Sequence, residues 1–202
     1  MAYPMNLHAH TKDFIALVRF TAAHFNITPG FVEKDYWITL ALQRLFDSTY
    51  VENVVFKGGT SLSKGYRLVN RFSEDIDIAT INENLRGNAL KTKIRAIEKE
   101  ITFGLIEIVT EGITNKGAMF RKSIFGYPTV LQGIVDNTIP NRMIIEISSF
   151  ANPYPYVKQE ITSFITEYLT TNNQAKAIAE YGLQPFLLNL LDKRRTMIEK
   201  LD

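Results

Sequence analysis

Two acids two residues apart, Asp75 and Asp77, alternate with Ile76 and Ile78. On an extended strand, residues two apart leave by the same face, so both carboxylates point one way while the isoleucines enter a core. Like charges held side by side repel unless a cation or a basic neighbour lies between them. An all-oxygen donor pair with no histidine or cysteine nearby suits Mg²⁺ or Mn²⁺, and Mg²⁺ commonly takes one or two carboxylates together with phosphate oxygens and water. Shortly upstream, Val54-Val55-Phe56-Lys57 runs into Gly58-Gly59-Thr60-Ser61-Leu62-Ser63-Lys64. Paired glycines let a backbone come close to a phosphate, and the amides at a following helix start offer it positive potential. Thr60, Ser61 and Ser63 add hydroxyl donors, and Lys64 a cation. A glycine pair alone is most often only a turn. A glycine turn followed by an aspartate pair is a more specific arrangement, that of a nucleotide and metal site.

These residues need a scaffold. Phe14, Leu17, Val18, Thr21 and Phe25 recur at helical spacing and predict a helix over 11–26. Thr28 and Pro29 read as the N-cap and first residue of a second helix reaching about Phe46. Strands are expected over 51–57 and 75–79, with a helix over 61–69 between them. Leu90, Ile94, Ile97 and Ile101 mark another helix, and strands are expected over 105–110, 119–125 and 143–149. Glu146 is the lone acid in that last strand and the candidate third carboxylate. After Asn152-Pro153-Tyr154-Pro155, helices are expected over 157–169 and 174–181. The fold class is therefore α/β (α+β), a mixed sheet with flanking helices over residues 1–151 and a smaller, mainly helical C-terminal lobe over 152–202.

With 202 residues, 46% hydrophobic, 22% charged and a net charge of +2, the chain is an ordinary globular protein whose charge permits a nucleic-acid partner without demanding one. It has no cysteine, which removes disulfides, thiolate nucleophiles and Cys-type zinc sites. His8, His10 and His24 are too scattered for a metal triad. No stretch approaches the ~20 apolar residues of a membrane helix and no leader is visible, so a cytoplasmic protein with no membrane partner is expected. Tyr36 and Trp37 read as core aromatics.

At the glycine turn and the aspartate pair the chain resembles the AbiEii toxins, nucleotidyltransferases of the DNA polymerase β superfamily. Phe56 to Lys64 and Arg71 to Asp77 look like two of that family's signature blocks, and Glu33-Lys34-Asp35-Tyr36-Trp37 like a third. The resemblance implies a nucleotidyltransferase-like fold. It implies a triphosphate cradled by Gly58, Gly59, Thr60, Ser61 and Lys64, and a metal on Asp75, Asp77 and Glu146, with Lys34 or Asp35 as accessory residues. Arg195-Thr196-Met197-Ile198-Glu199-Lys200 resembles the family's Arg-Thr-x-x-Glu-Lys block, so Lys200 is expected on the phosphates. Thr196 and Glu199 have capping-box spacing for a helix starting near Met197. If the chain folds back on itself as the family implies, Lys64, Arg67, Arg71, Lys193, Arg194 and Arg195 would rim the cleft. Relatives continue past this block into helices with an Arg-Asp…Asp motif, so a shortened C-terminal lobe and weak transfer are expected. The implied activity is transfer of a nucleotide from a nucleoside triphosphate to an acceptor, a tRNA 3′ end or another RNA, by a toxin with a cognate antitoxin. A small-molecule nucleotidyltransferase and a non-catalytic nucleotide-binding module are the alternatives.

Overall fold

In α1 (Thr11–Phe25), Phe14, Val18, Thr21 and Ala22 form the buried stripe, and the helix stops at Asn26, whose backbone turns left-handed (φ 53°). The computed structural model describes residues 5–68, 75–81, 84–131 and 139–199. Thr28 is the N-cap of α2 (Pro29–Asp47), but its hydroxyl makes no capping bond; the helix starts on Pro29 instead. From Val32 to Leu45 nearly every side chain of α2 is buried, so it is a central helix rather than a surface one. Glu33, Lys34 and Asp35 are buried too, contrary to the solvated first turn that charge alone suggests. The Glu33 carboxylate accepts from Thr129 Oγ1 and the Val130 amide, both at 2.7 Å. Tyr36 and Trp37 are core residues as expected.

Strand β1 (Val54–Lys57) leads directly into α3 (Gly58–Lys64), and β2 (Asp75–Thr80) returns antiparallel beside β1. Helix α4 (Gly87–Ile101), β3 (Ile106–Ile108), the two-residue β4 (Asn115–Lys116), β5 (Phe120–Gly126) and β6 (Arg142–Ser148) follow. Then come β7 (Tyr156–Ile161), α5 (Phe164–Thr171), α6 (Ala175–Glu180), β8 (Phe186–Leu191) and α7 (Lys193–Ile198). Among the described residues these strands form one mixed sheet in the order β3-β5-β6-β2-β1-β8-β7, with β4 on β5. The expected α/β class with a mixed sheet and flanking helices is what the chain adopts.

The expected helix over 157–169 is corrected. Residues 156–161 are an edge strand, and a helix begins only at Phe164, where Ser163 Oγ accepts from the Thr166 amide at 3.0 Å. Phe186–Leu191, for which no strand is expected from the sequence reading, pairs parallel with β1 through Leu190 opposite Phe56. A parallel neighbour is buried on both faces and reads as a continuous apolar run rather than an alternating one. The last helix begins at Lys193, not near Met197: Asp192 caps it by accepting from the Arg194 amide at 2.9 Å, and Thr196 bonds back to the Asp192 carbonyl. Thr196 and Glu199 therefore form no capping box.

The core lies on one side of the sheet. Ile76, Ile78, Met143, Ile145 and Ile147 project there with no more than 1% exposure, together with Ile94, Ile97 and Ile101 of α4 and the apolar side of α2. Each such side chain contributes about 1.5–3 kcal/mol on burial. The strict alternation along β6 leaves Arg142, Ile144, Glu146 and Ser148 on the other, partly open face. Among the described residues no helix is long and apolar enough to cross a membrane.

Candidate active site

Four strands place four charges in one row. Lys57 on β1 is opposite Asp77 on β2, Asp77 is opposite Glu146 on β6, and Glu146 is opposite Lys122 on β5. Directly opposed residues share a face, so the row presents lysine, aspartate, glutamate and lysine on the open side of the sheet. Asp75, two residues before Asp77, shares that face. The row is held at one end by Lys122 Nζ on Glu146 Oε1 at 2.6 Å, and at the other by Lys57 Nζ on Glu199 Oε2 at 3.0 Å. Arg195 Nε reaches the second Glu199 oxygen at 3.2 Å, so this carboxylate bridges two cations.

Burial pushes the Asp77 carboxyl up to about 7, and the negative charges of Glu146 and Asp75 push it the same way; Lys57 partly offsets them. The Lys122 ammonium is raised chiefly by its bond to Glu146. A cleft of about 320 Å³ opens over the row, lined by Lys57, Gly58, Asp77 and Glu146, by Ser148 and two phenylalanines, and by Thr196 and Glu199 of α7.

At Gly58 the backbone comes close to this row. It has φ +75°, and a Cβ there would lie 1.8 Å from Asp77 Oδ2. Only glycine permits both that backbone and that approach. The hydroxyls beside it are already engaged: Thr60 donates to the Asp75 carbonyl, Ser61 to the Gly58 carbonyl at 2.8 Å, and Ser63 to the Thr60 carbonyl at 3.1 Å. Thr60 thus ties α3 to the strand of the acids. What this turn offers a phosphate is backbone rather than hydroxyl protons.

The profile of the family described as nucleotidyl transferase AbiEii toxin, type IV TA system, matches residues 40–202. The chain belongs to that family. A comparison with curated proteins finds no match. AbiEii membership makes this chain a relative of nucleotidyltransferase toxins of type IV toxin–antitoxin systems.

For an AbiEii chain the sequence-picked residues fall into two groups. Gly58, Asp75, Asp77 and Glu146 come together, with Gly59 in the first turn of α3 beside them. Lys34, Asp35 and Lys64 lie elsewhere. Lys34 is fully buried in α2. Asp35 takes Lys64 Nζ at 2.5 Å on one oxygen and the Phe164 amide at 2.9 Å on the other, and so fastens α2, α3 and α5 together. Lys64 also donates to the Thr162 carbonyl at 3.1 Å. Arg67 is spent on Glu167 at 3.0 Å. Lys200 and Arg71 lie outside the described residues.

Lys57, Lys122 and the two phenylalanines went unnoticed in the sequence. Lys57 directly precedes the glycine turn, which was a usable signal; Lys122 is visible only through the pairing of β5 with β6.

Among the described residues no three acids or histidines are gathered as a ready metal cage. The chemistry of the donor set nevertheless fits a hard divalent cation. Asp75 and Asp77 offer two carboxylates on one face, and the repulsion that adds to burial in raising Asp77 is what a cation relieves. Glu146 is adjacent but held by Lys122.

Proposed function

We propose that this chain is a metal-dependent nucleotidyltransferase toxin that moves a nucleotide from a nucleoside triphosphate onto the 3′ end of an RNA, a tRNA being the favoured acceptor. The single observation that carries the reading is the charge row beside the glycine turn, in which Asp77 stands between Lys57 and Glu146. Asp75 and Asp77 would hold Mg²⁺ or Mn²⁺, with Glu146 as the third carboxylate. Bound there, the cation supplies Lewis-acid polarisation of the reacting phosphate. The backbone of Gly58 and Gly59, with Thr60 and Ser61 fixing the turn, receives the triphosphate, and Lys57 balances its charge. The acceptor hydroxyl oxygen bonds to the α-phosphorus, the bond from that phosphorus to the β-phosphate's bridging oxygen breaks, and pyrophosphate leaves. Glu146, on the far side of Asp77 from the turn, takes the hydroxyl proton. Lys200 is an added phosphate ligand on the family resemblance.

Family membership also supports a cognate antitoxin and a cytoplasmic setting. A second reading, transfer to a small molecule, is favoured by one feature: the cleft is compact and three of its lining residues are acids, Asp77, Glu146 and Glu199. The test is incubation with each labelled nucleoside triphosphate, Mg²⁺ and either total RNA or a metabolite extract, for wild type and Asp77→Asn. Label in RNA that disappears in the variant supports the reading; label in the small-molecule fraction supports the second. No label anywhere, with nucleotide bound normally, refutes transfer.

A further inference from the structure

Phe120 and Phe150 stack against each other on the cleft wall, with ring centroids 5.9 Å apart and planes 26° from parallel. Phe150 is 67% exposed, so the pair fills no core. Phe120 lies opposite Ser148, on the same sheet face as Glu146 and Lys122 and one step further along β5 and β6. Across the sheet the sequence of features is the glycine turn after β1, the aspartates on β2, Glu146 on β6, and this aromatic pair at β5 and just past the end of β6. The aromatics are therefore separated from the phosphate turn by the acids. In a transfer between two bound reactants over those acids, the triphosphate takes the turn and the acceptor takes the opposite side. An exposed aromatic face in a wet, charged cleft suits a ligand that is flat, apolar on its faces and polar at its edges, and a nucleobase meets that description.

The geometry points to Phe120 and Phe150 as a stacking platform for the terminal nucleobase of the acceptor strand, which sets the acceptor's ribose hydroxyl over the aspartates. This rests on the nucleotidyltransferase reading above and narrows its acceptor to one ending in a nucleobase. The compactness of the cleft agrees with entry of a single terminal nucleoside rather than a duplex.

The test compares a short single-stranded RNA with the same RNA carrying a 3′-terminal abasic ribose, which keeps the hydroxyls and phosphates and lacks only the base. Binding of each is followed by fluorescence anisotropy for wild type, Phe150→Ala and Phe150→Trp, with affinity for the nucleoside triphosphate measured in parallel. Wild type is expected to prefer the intact strand by roughly ten-fold, Phe150→Ala to lose that preference, and Phe150→Trp to keep it, with triphosphate affinity unchanged throughout. A preference that survives Phe150→Ala and Phe120→Ala, or no preference in wild type, overturns the platform. A loss confined to triphosphate affinity assigns the stacked base to the donor and overturns it as well. If RNA is still labelled in an Asp77-dependent way while intact and abasic strands bind alike, the platform falls and the transfer reading stands. Failure of wild type to bind or label any RNA removes both.

Discussion

Replacing Gly58 by alanine puts a methyl group into the tightest contact of the site. Two costs can be read from the geometry. The backbone at φ +75° is left-handed, which costs a residue with a Cβ about 1–2 kcal/mol. The new carbon would stand 1.8 Å from Asp77 Oδ2 and 2.7 Å from Asp77 Cγ, where a comfortable contact needs about 3.5 Å, so the carboxylate must move on the order of 1.5 Å. Asp77 can do this only by leaving its rotamer, at roughly 0.5–1.5 kcal/mol, because Glu146 already crowds it from the next strand. Together the change destabilises by about 1.5–3.5 kcal/mol, a fall of roughly 3–14 °C in Tm for a chain of this size. A displacement of this kind at a carboxylate proposed to hold the metal should cost on the order of 100-fold in transfer. The assay is a double-mutant cycle on thermal or urea unfolding, pairing Gly58→Ala with Asp77→Ala. With the Asp77 carboxylate gone, the backbone cost and a tight 3.0 Å contact with the remaining Cβ of residue 77 are left, so the two changes should be non-additive by roughly 1 kcal/mol. Strict additivity, or an alanine variant as stable and active as wild type, would falsify the view that this glycine exists to admit Asp77.

Asp77→Asn should abolish transfer and stabilise the metal-free protein at high pH. Because the folded carboxyl titrates near 7 instead of its usual 3.8, the folded state binds the proton more tightly; the stabilisation this gives is complete below 3.8 and lost as pH rises through about 7. The variant's advantage in unfolding free energy should therefore grow between pH 5 and pH 8 by on the order of 1 kcal/mol or more, and a flat difference across that range contradicts it. Lys122→Met removes a partly buried ion pair worth at most about 1 kcal/mol, but leaves Glu146 beside Asp77 without its cation, so added Mg²⁺ should raise Tm more in this variant than in wild type. Equal Mg²⁺ responses would count against Glu146 as a metal neighbour. Lys64→Met should lower stability by about 3–5 kcal/mol by stranding the buried Asp35, with little effect on triphosphate affinity in the folded fraction. A stable variant with weakened triphosphate binding would restore Lys64 to the phosphate site.

Asp75-Ile76-Asp77-Ile78 could be read directly, since period-two alternation both makes the strand and sorts acids from core. The role of Gly58 was legible as a close approach, although what approaches it here is the Asp77 side chain. Glu146 was legible only as the lone acid in an apolar strand; its place opposite Asp77 depends on a parallel pairing that no local pattern specifies. Val157, Ile161 and Ile165 fall four apart and imitate a helix, whereas 156–161 takes its conformation from β8, so tertiary pairing outweighed local spacing. Ser163 ahead of Thr166 was the available sign that the helix begins later. Glu33 and Asp35 carry no mark in sequence that distinguishes an acid satisfied by distant amides from one facing water.

The parallel pairing of β8 with β1 has a temporal consequence. Leu190 on β8 packs where a Cβ on Gly65 would lie, 2.0 Å from Leu190 Cδ2, and α7 leaves β8 to wall the cleft beside Lys57. During synthesis from the N-terminus, β1, α3 and both aspartates leave the ribosome well before residues 186–199. Until those residues arrive, β1 has a vacant edge and the cleft lacks the Thr196 and Glu199 wall. The nascent polypeptide thus carries its acids early and its finished pocket late.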